Sequence, residues 1–268
     1  MIIAHHIMTW QGWANKQKQK LELPAAFAEI RAAGYEGIEL GGDATSCGPA
    51  AELKRHLADA GITCVAWGFS VTANPWAPST EAFRRQAGYA GEMGITLGVT
   101  CGGFLPGGRR TTNDGDYRLF AENLAAHVDI ATANGVSLAF HPHRGCIVET
   151  LAEVDRLLRY IPTLQLCPDT GHLLACYDDP LWLLDAHPGR VRALHLKDYD
   201  PATGNFAELG RGKVDIASIL AWAKRRNWNG PVIVERDDPP MPGAESGRIS
   251  REHLTSLGVE LPKRAARG

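Results

Sequence analysis

Ionisable residues follow short apolar stretches at four places in the second half of the chain. They occur in the segments HPHRGCIVET (141–150), PDTGH (168–172), HLKD (195–198) and VERD (234–237). The preceding apolar runs are typical of buried strands. Carboxylates and imidazoles bind divalent cations in catalytic sites, and they also transfer protons. Packing alone does not explain four such strand ends, so the pattern indicates a catalytic or metal site.

One acid or histidine from each segment makes up a candidate metal site. Glu149, Asp169, His195 and Glu235 lie at, or just after, the ends of different predicted strands. Adjacent strands are about 4.8 Å apart, so consecutive strand ends can converge on one ion. Three carboxylates and one imidazole suit catalytic Mg²⁺, Mn²⁺, Co²⁺ or Zn²⁺. Each residue alone could cap a helix or form a salt bridge, but together they would repel one another without a cation.

The remaining polar residues of these segments are candidates for substrate binding and catalysis. His141, His143 and His172 could orient a carboxylate ligand or donate to a sugar hydroxyl. Lys197 lies two residues after His195 and so on the same side of its strand. There it could stabilise an oxyanion or protonate a leaving hydroxyl. Hydrogen bonds or salt bridges within the protein are the alternative role for each.

Two further sets of residues give weaker signals for the same site. Arg211, in the glycine-rich segment GRGKVD, could reach a substrate or could be an exposed loop cation. His6, Glu39 and Trp67 end the first three predicted strands and could line the opposite wall. Because His6 lies close in sequence to tryptophans, packing is an equal alternative for it.

Eight predicted strands alternate with eight predicted helices. The strands are 2–8, 37–40, 63–69, 97–101, 136–140, 164–169, 191–196 and 231–235, and the helices begin near residues 23, 50, 80, 116, 151, 179, 215 and 246. The strands are mostly unbroken apolar runs, as expected for parallel strands buried on both faces. No G-x-G-x-x-G motif follows the first strand. The pattern therefore favours an α/β fold of the closed (β/α)₈ TIM-barrel type, whose active sites lie at the carboxyl ends of the strands.

The domain prediction is a single barrel over residues 1–268 with a flexible tail at 260–268. Long loops at 74–80, 102–115, 199–214 and 239–247 follow the third, fourth, seventh and eighth strands. They could form substrate walls or a lid, or they could be variable surface loops. Apolar residues on the outer helices, such as Trp182 and Trp222, could serve a homo-oligomer interface or pack within the monomer.

Composition excludes several classes of partner. The chain has 268 residues, is 44% hydrophobic and 22% charged, and carries a formal net charge of −2. This charge balance does not favour a nucleic-acid or membrane partner. No apolar run approaches the roughly 20 residues that span a bilayer. The N-terminus has no basic region before its apolar residues, and the six cysteines form no C-x-x-C pair, so a cytoplasmic protein is expected.

Together, these motifs resemble the xylose isomerase-like TIM-barrel superfamily of sugar isomerases and epimerases and, within it, inosose dehydratase-like proteins. The matching segments are GYEGIELG (34–41), HPHRGCIVET (141–150), PDTGHL (168–173), RALHLKD (192–198), GRGKVDIASIL (210–220), VIVERD (232–237) and SGRISREHLTSLG (246–258). The resemblance implies that Glu149, Asp169, His195 and Glu235 are the metal ligands. Many isomerases of this group carry the first ligand on strand five itself, where this chain has Ala139. It also lacks the N-D-D-like loop of the dehydratases after strand one.

The resemblance implies a divalent-metal-dependent enzyme that acts on a small sugar or cyclitol. Glu149 or Glu235 would remove a proton next to a carbonyl, and Lys197 would assist. Isomerisation or epimerisation is the first expectation, and dehydration of an inosose-like keto-cyclitol or keto-sugar is the alternative. An endonuclease IV-like DNA repair enzyme and a non-catalytic sugar sensor are the rival classes. The near-neutral charge balance disfavours the nuclease.

Overall fold

The computed structural model describes residues 1–42, 44–69, 80–103, 105 and 113–260. Several predictions fall outside this part of the chain. They are residues 74–79 of the predicted loop 74–80, most of the loop 102–115, and the C-terminal tail from residue 261.

The described residues form ten strands and ten α-helices. The strands are β1 (Ile3–His6), β2 (Gly37–Gly41), β3 (Thr63–Phe69), β4 (Leu97–Cys101), β5 (Ser137–His141), β6 (Gln165–Leu166), β7 (Leu194–Leu196), β8 (Asp198–Asp200), β9 (Asn205–Ala207) and β10 (Val232–Val234). The helices are α1 (Met8–Lys16), α2 (Leu23–Ala32), α3 (Ala50–Ala60), α4 (Thr80–Met93), α5 (Asp114–Ala133), α6 (Leu151–Tyr160), α7 (Thr170–Ala175), α8 (Pro180–Ala186), α9 (Ile216–Arg225) and α10 (Gly243–Ser256).

The chain divides into two compact units. The first comprises Met1–Leu40, Cys47–Val65 and Leu194–Gly268, and the second comprises Gly41–Ser46 and Ala66–Ala193. In the first unit, the strands follow the order β2, β1, β10, β7, and each neighbouring pair is parallel. Because the strands are parallel, their carboxyl ends lie at one edge of the sheet.

The second unit continues the same pattern of parallel pairing. Its strands follow the order β6, β5, β4, β3. Of β3, the residues from Ala66 onward belong to this unit. Pairing of β5 with β6 aligns Ala139 with Gln165 and Phe140 with Leu166. A parallel bridge then joins Leu166 to Val191, just before β7. The eight predicted strands are thus all present in the described residues, each parallel to a neighbour.

Local signals in the sequence account for several element boundaries. Thr150 and Glu153 form a capping box, in which each side chain accepts a hydrogen bond from the other residue's backbone N–H. Gly61 ends α3 with a φ of 63°, a left-handed conformation that favours glycine. These two boundaries follow from local chemistry alone.

The structure contains two helices and one hairpin that the sequence prediction lacked. The predicted strand 2–8 ends at His6, and helix α1 starts two residues later. The segment after Asp169 is a short helix, α7, capped by the Asp169 side chain. The predicted loop 199–214 contains the antiparallel hairpin β8–β9. Helix α10 also begins at Gly243 rather than at residue 246.

Candidate active site

The first unit gathers ionisable side chains at the carboxyl ends of its four parallel strands. These residues are His6 on β1, Glu39 on β2, His195 on β7, Lys197 just after β7, and Glu235 just after β10. All five are buried, and Lys197 is 0% exposed. Parallel register pairs His6 with Glu39 and places His195 beside Ile233, two residues before Glu235. The apolar strands therefore hold a compact charged cluster inside the protein.

His195 and Glu235, two of the predicted metal ligands, lie in direct contact. His195 Nδ1 is 2.6 Å from Glu235 Oε2. That carboxylate oxygen is buried and has no hydrogen-bond partner among the described residues. A buried carboxylate oxygen without such a partner is costly unless a cation neutralises it. The two atoms are therefore suited to binding one divalent ion.

Glu39 lies behind His195, on the side away from Glu235. Its Oε2 is 2.8 Å from His195 Nε2, and its Oε1 is 3.4 Å from His6 Nε2. Burial opposes ionisation of Glu39, but the adjacent His195 and His6 outweigh this effect and lower its pKa to about 2. Burial would lower the pKa of His6, but Glu39 and Glu235 raise it above its ordinary value. Glu39 is therefore an anion at neutral pH.

Lys197 connects Glu235 to a further acid, Asp237. Its Nζ is 3.2 Å from Glu235 Oε1 and 2.9 and 3.0 Å from the two oxygens of Asp237. Burial opposes ionisation of Glu235, but Lys197, His195 and His6 hold its pKa well below the usual range. Burial raises the pKa of Asp237, and Glu235 adds to this effect although Lys197 opposes it. Glu235 therefore ionises at a lower pH than Asp237.

The second unit contains a separate cluster of three histidines. His141 ends β5, His143 follows it, and His172 lies in α7. Their potential ligand atoms lie within 4.8 Å of one another, and the rings of His143 and His172 are 3.7 Å apart between centroids. Three imidazoles at this spacing could hold a metal ion or contact a polar ligand.

Hydrogen bonds fix the complementary tautomers of two of these histidines. His143 Nδ1 lies 2.7 Å from the Arg144 carbonyl oxygen, which only accepts, so Nδ1 carries the proton. His172 Nδ1 accepts from the Arg144 backbone N–H at 3.4 Å, so in the neutral ring Nε2 carries the proton. In these neutral rings, His143 Nε2 is an acceptor and His172 Nε2 is a donor. A hydroxyl group, which both donates and accepts, matches that arrangement.

The other two predicted metal ligands belong to the second unit. Asp169 caps α7, since its Oδ1 accepts from the His172 backbone N–H at 2.7 Å, and its Oδ2 is 4.0 Å from His141 Nε2. Glu149 accepts hydrogen bonds from the Gly145 backbone N–H and, at 3.6 Å, from the Cys176 thiol. Both acids are buried. Glu149 thus has a protein partner on each of its oxygens.

The remaining predicted site residues differ in exposure. Trp67 is fully buried and packs against Tyr89, with ring centroids 5.3 Å apart. Arg211 has 53% of its side chain exposed, and its guanidinium lies 3.9 Å from the Glu208 carboxylate. Trp222, suggested as an exposed oligomer residue, is only 1% exposed and is thus part of the core, whereas Trp182 is 57% exposed.

Asp198 organises the loop that carries Arg211, a role the sequence prediction missed. Its buried carboxylate accepts hydrogen bonds from the backbone N–H groups of Gly210, Gly212 and Val214 at 2.9, 2.9 and 3.0 Å. A buried carboxylate that accepts several backbone N–H bonds stabilises a loop strongly. The HLKD motif contained the signal, because its final acid begins the hairpin β8–β9.

His5 and His6 have different environments although they are adjacent. His5 packs edge-on against Trp10 and Tyr35, and burial lowers its pKa to about 3. His6 instead accepts a hydrogen bond from the Met8 backbone N–H at its Nδ1, 3.0 Å away, and faces Glu39. Packing therefore describes His5, and membership of the charged cluster describes His6.

Comparison with known proteins identifies a family and several relatives. Residues 27–257 match the family model described as xylose isomerase-like TIM barrel. An inosose dehydratase of Salmonella typhimurium is 27% identical, over 92% of this chain and 93% of its own length. These matches confirm the predicted fold class and the resemblance on which it was based.

Two solved structures have the same fold. The E. coli 3-keto-D-glucoside 4-epimerase superposes with a TM-score of 0.75 at 17% identity, covering 96% of this chain and 99% of its own. The IOLI protein with a bound zinc atom gives a TM-score of 0.75 at 17% identity, covering 96% of this chain and 98% of its own. Within the described part of this chain, no helix combines the length and apolar character needed to cross a membrane.

Proposed function

Because this chain belongs to the xylose isomerase-like TIM barrel family, we propose that it is an enzyme that transfers a proton on a keto- or aldo-polyol. Isomerisation or epimerisation of a sugar is the first candidate reaction. The substrate is a small sugar or cyclitol. This proposal is supported by two proteins that the chain resembles, one named inosose dehydratase and the other 3-keto-D-glucoside 4-epimerase. Both names refer to compounds of that kind.

One observation carries this proposal. Glu235 is buried and ionised, with one oxygen 2.6 Å from His195 and the other 3.2 Å from Lys197. The adjacent ammonium and imidazole groups keep this carboxylate ionised at neutral pH, which is the state in which it can accept a proton. Packing does not require such an arrangement, because replacing buried charges with apolar residues is often neutral for stability.

A divalent metal ion fits the donor set of this cluster. His195 and Glu235 would hold it, and the buried Glu235 oxygen beside His195 Nδ1 supports this assignment. Glu149 and Asp169 stay the predicted additional ligands, and Mn²⁺, Mg²⁺, Co²⁺ or Zn²⁺ are the candidate ions. The bound zinc of the IOLI protein supports a metal. When bound, the ion would acidify a C–H group next to a carbonyl.

Different side chains of the cluster would accept the proton and stabilise the negative charge that develops on the substrate. Glu235 accepts the substrate proton, with Glu149 as the alternative base. Lys197, which is held by Asp237, can donate a hydrogen bond to a developing oxyanion. Return of the proton to the neighbouring carbon gives isomerisation, and return to the opposite face gives epimerisation.

A dehydratase is the second candidate. The Salmonella relative is named inosose dehydratase and matches this chain over 92% of its length. The same base would remove a proton next to the carbonyl, and Lys197 would give a proton to the β-hydroxyl group that leaves as water. The elimination uses the same residues as isomerisation, and only the product distinguishes the two reactions.

His141, His143 and His172 are proposed to bind the substrate. The donor and acceptor presented by His143 and His172 match a sugar hydroxyl. Arg211 and Trp67 stay proposed substrate contacts, Arg211 because its guanidinium is half-exposed on a loop fixed by Asp198.

The decisive experiment follows substrate C–H groups by NMR in deuterated solvent. Metal-supplemented enzyme is incubated with a panel of keto-sugars and inososes. Deuterium incorporation without loss of water supports an isomerase or epimerase, whereas an unsaturated product supports the dehydratase. Glu235→Gln should reduce the rate by about 10²- to 10⁴-fold. Glu29→Gln, which removes a carboxylate bonded to Trp10, is the matched control and should keep the wild-type rate.

Three outcomes would contradict the proposal. If the enzyme carries its full complement of metal and shows no exchange and no turnover with any compound of the panel, the result counts against a proton-transfer enzyme. Nicking of abasic DNA would instead support the endonuclease class. Tight sugar binding that a chelator does not change would support a sensor.

A further inference from the structure

Glu39 has a geometry that neither catalysis nor packing explains. It is 1% exposed, and each of its oxygens faces a different imidazole. Oε2 lies 2.8 Å from His195 Nε2, and Oε1 lies 3.4 Å from His6 Nε2. A single carboxylate thus contacts two rings that come from β7 and β1.

The hydrogen bonds determine which nitrogen of His6 carries a proton. His6 Nδ1 is 3.0 Å from the Met8 backbone N–H, which can only donate. Nδ1 must therefore supply a lone pair, and the proton lies on Nε2. The protonated Nε2 lies 3.4 Å from Glu39 Oε1, so it faces the carboxylate.

The same reasoning applies to His195. An ionised carboxylate only accepts, so the His195 nitrogen 2.8 Å from Glu39 carries a proton. When the ring is neutral, the lone pair is then on Nδ1, the atom 2.6 Å from Glu235 Oε2. Two acceptor atoms at that distance repel each other unless a cation lies beside them. Glu39 thereby presents the correct nitrogen to the proposed metal.

We infer that Glu39 is a positioning residue that holds His195 as its Nε2–H tautomer, so that Nδ1 is available to bind the metal ion. The inference rests on the proposed function. A carboxylate behind a metal-binding imidazole fixes the ring and increases its basicity, and its loss typically weakens metal binding 10- to 100-fold. His6 lies beside the second oxygen of Glu39, at 3.4 Å, and favours the orientation of the carboxylate that faces His195.

The test measures metal affinity directly. The dissociation constant for Zn²⁺ is determined by chelator competition for wild type and for Glu39→Gln. The amide cannot accept from both histidines, because one of its two polar atoms is a donor. We expect affinity to fall 10- to 100-fold. Glu208→Gln is the matched control, since it removes another buried carboxylate of the same unit, bonded to Ser246, and should change affinity less than twofold.

A second readout reports the tautomer itself. In zinc-loaded protein labelled with ¹⁵N-histidine, long-range ¹H–¹⁵N spectra identify the protonated nitrogen of each ring. Wild type should show a proton on His195 Nε2, and Glu39→Gln should lose or shift that signal. A residue that only stabilised the fold would lower the unfolding temperature of the metal-free protein and leave both measurements unchanged.

The possible outcomes separate this inference from the proposed function. If the wild-type protein binds no divalent metal, both the metal-dependent mechanism and the role of Glu39 in metal binding are refuted. If wild type binds zinc and Glu39→Gln binds it equally tightly, with an unchanged His195 spectrum, the role of Glu39 is refuted and the metal site stands. A proton found on Nδ1 of His195 in zinc-loaded wild type would also overturn it.

Discussion

Lys197 and Asp237 form an ion pair in which both carboxylate oxygens lie close to the ammonium nitrogen, at 2.9 and 3.0 Å. On its other side, the same nitrogen is 3.2 Å from Glu235. The lysine is fully buried, so one cation neutralises two acids inside the protein. Its charge should therefore matter for stability as well as for the proposed catalysis.

Replacing Lys197 with methionine should destabilise the protein strongly. The change keeps most of the side-chain volume but leaves Glu235 and Asp237 next to each other without their shared cation. Breaking a buried ion pair on one side typically costs about 3–5 kcal/mol. Urea unfolding of the metal-free protein measures this loss. The double variant Lys197→Met/Asp237→Asn should recover part of it. Equal destabilisation of the single and double variants would show that the pairing is not the cause.

His127 should make the protein less stable in mild acid. It is 1% exposed, stacks on Phe83 at 4.2 Å between centroids, and has no hydrogen-bond partner for either ring nitrogen among the described residues. Burial lowers its pKa from 6.5 to about 4. Between these values the unfolded chain binds the proton and the folded protein does not. The stabilisation is therefore complete above pH 6.5 and falls as pH decreases toward 4, by up to about 1.4 kcal/mol per unit.

The variant His127→Phe tests this pH dependence. It keeps an aromatic ring against Phe83 and removes the titrating group. Free energies of unfolding are measured for both proteins between pH 7 and pH 4.5. The difference between them should grow in favour of the variant as pH falls. Parallel curves would exclude His127 as a source of acid sensitivity.

Gly212→Ala should disrupt the loop that carries Arg211. A Cβ atom at this position would collide with the Asp198 carboxylate and lie 2.5 Å from the Tyr199 carbonyl oxygen. We expect a loss of about 1–3 kcal/mol, in the range of overpacked interiors, and a raised KM through displacement of Arg211. Gly189→Ala is the matched control, because nothing lies within 4 Å of its added Cβ. Equal stability of the two variants would contradict the fixed position of the loop.

His143→Asn should weaken substrate binding and leave metal content unchanged. The substitution removes the acceptor that His143 offers beside His172. Loss of one hydrogen bond corresponds to about a tenfold increase in KM. Metal stoichiometry is measured by elemental analysis in parallel. His187→Asn, which alters a surface pair with Asp155, is the control. If the variant loses one equivalent of metal, the three histidines bind an ion instead.

The sequence was informative where function depends on single strands. Apolar runs followed by His195 or Glu235 predicted the parallel strands and the edge at which these ionisable residues gather, because burial on both faces leaves a visible pattern. Helix α1 escaped prediction because only Ile7 separates it from β1 and no side chain caps it. The hairpin β8–β9 escaped because its strands have three residues each.

Contacts between distant residues could not be predicted from the sequence. Glu39 and His195 are 156 positions apart and meet only through the register of four strands. Glu149 was predicted as a metal ligand, and that assignment stays a prediction. Its contacts with Gly145 and Cys176 depend on how a loop folds back on itself. Pattern identifies chemically capable residues, whereas their partners depend on tertiary structure. The single-domain, oligomer and cytoplasmic predictions stay untested.

The single carboxylate of Asp198 has a consequence for protein engineering. Because it binds three backbone amides across residues 210–214, the stretch from Asp198 to Val214 behaves as one preassembled cassette. Loops exchanged between homologous enzymes at this position should include the aspartate, since a graft that starts after it would leave those amides without their anchor.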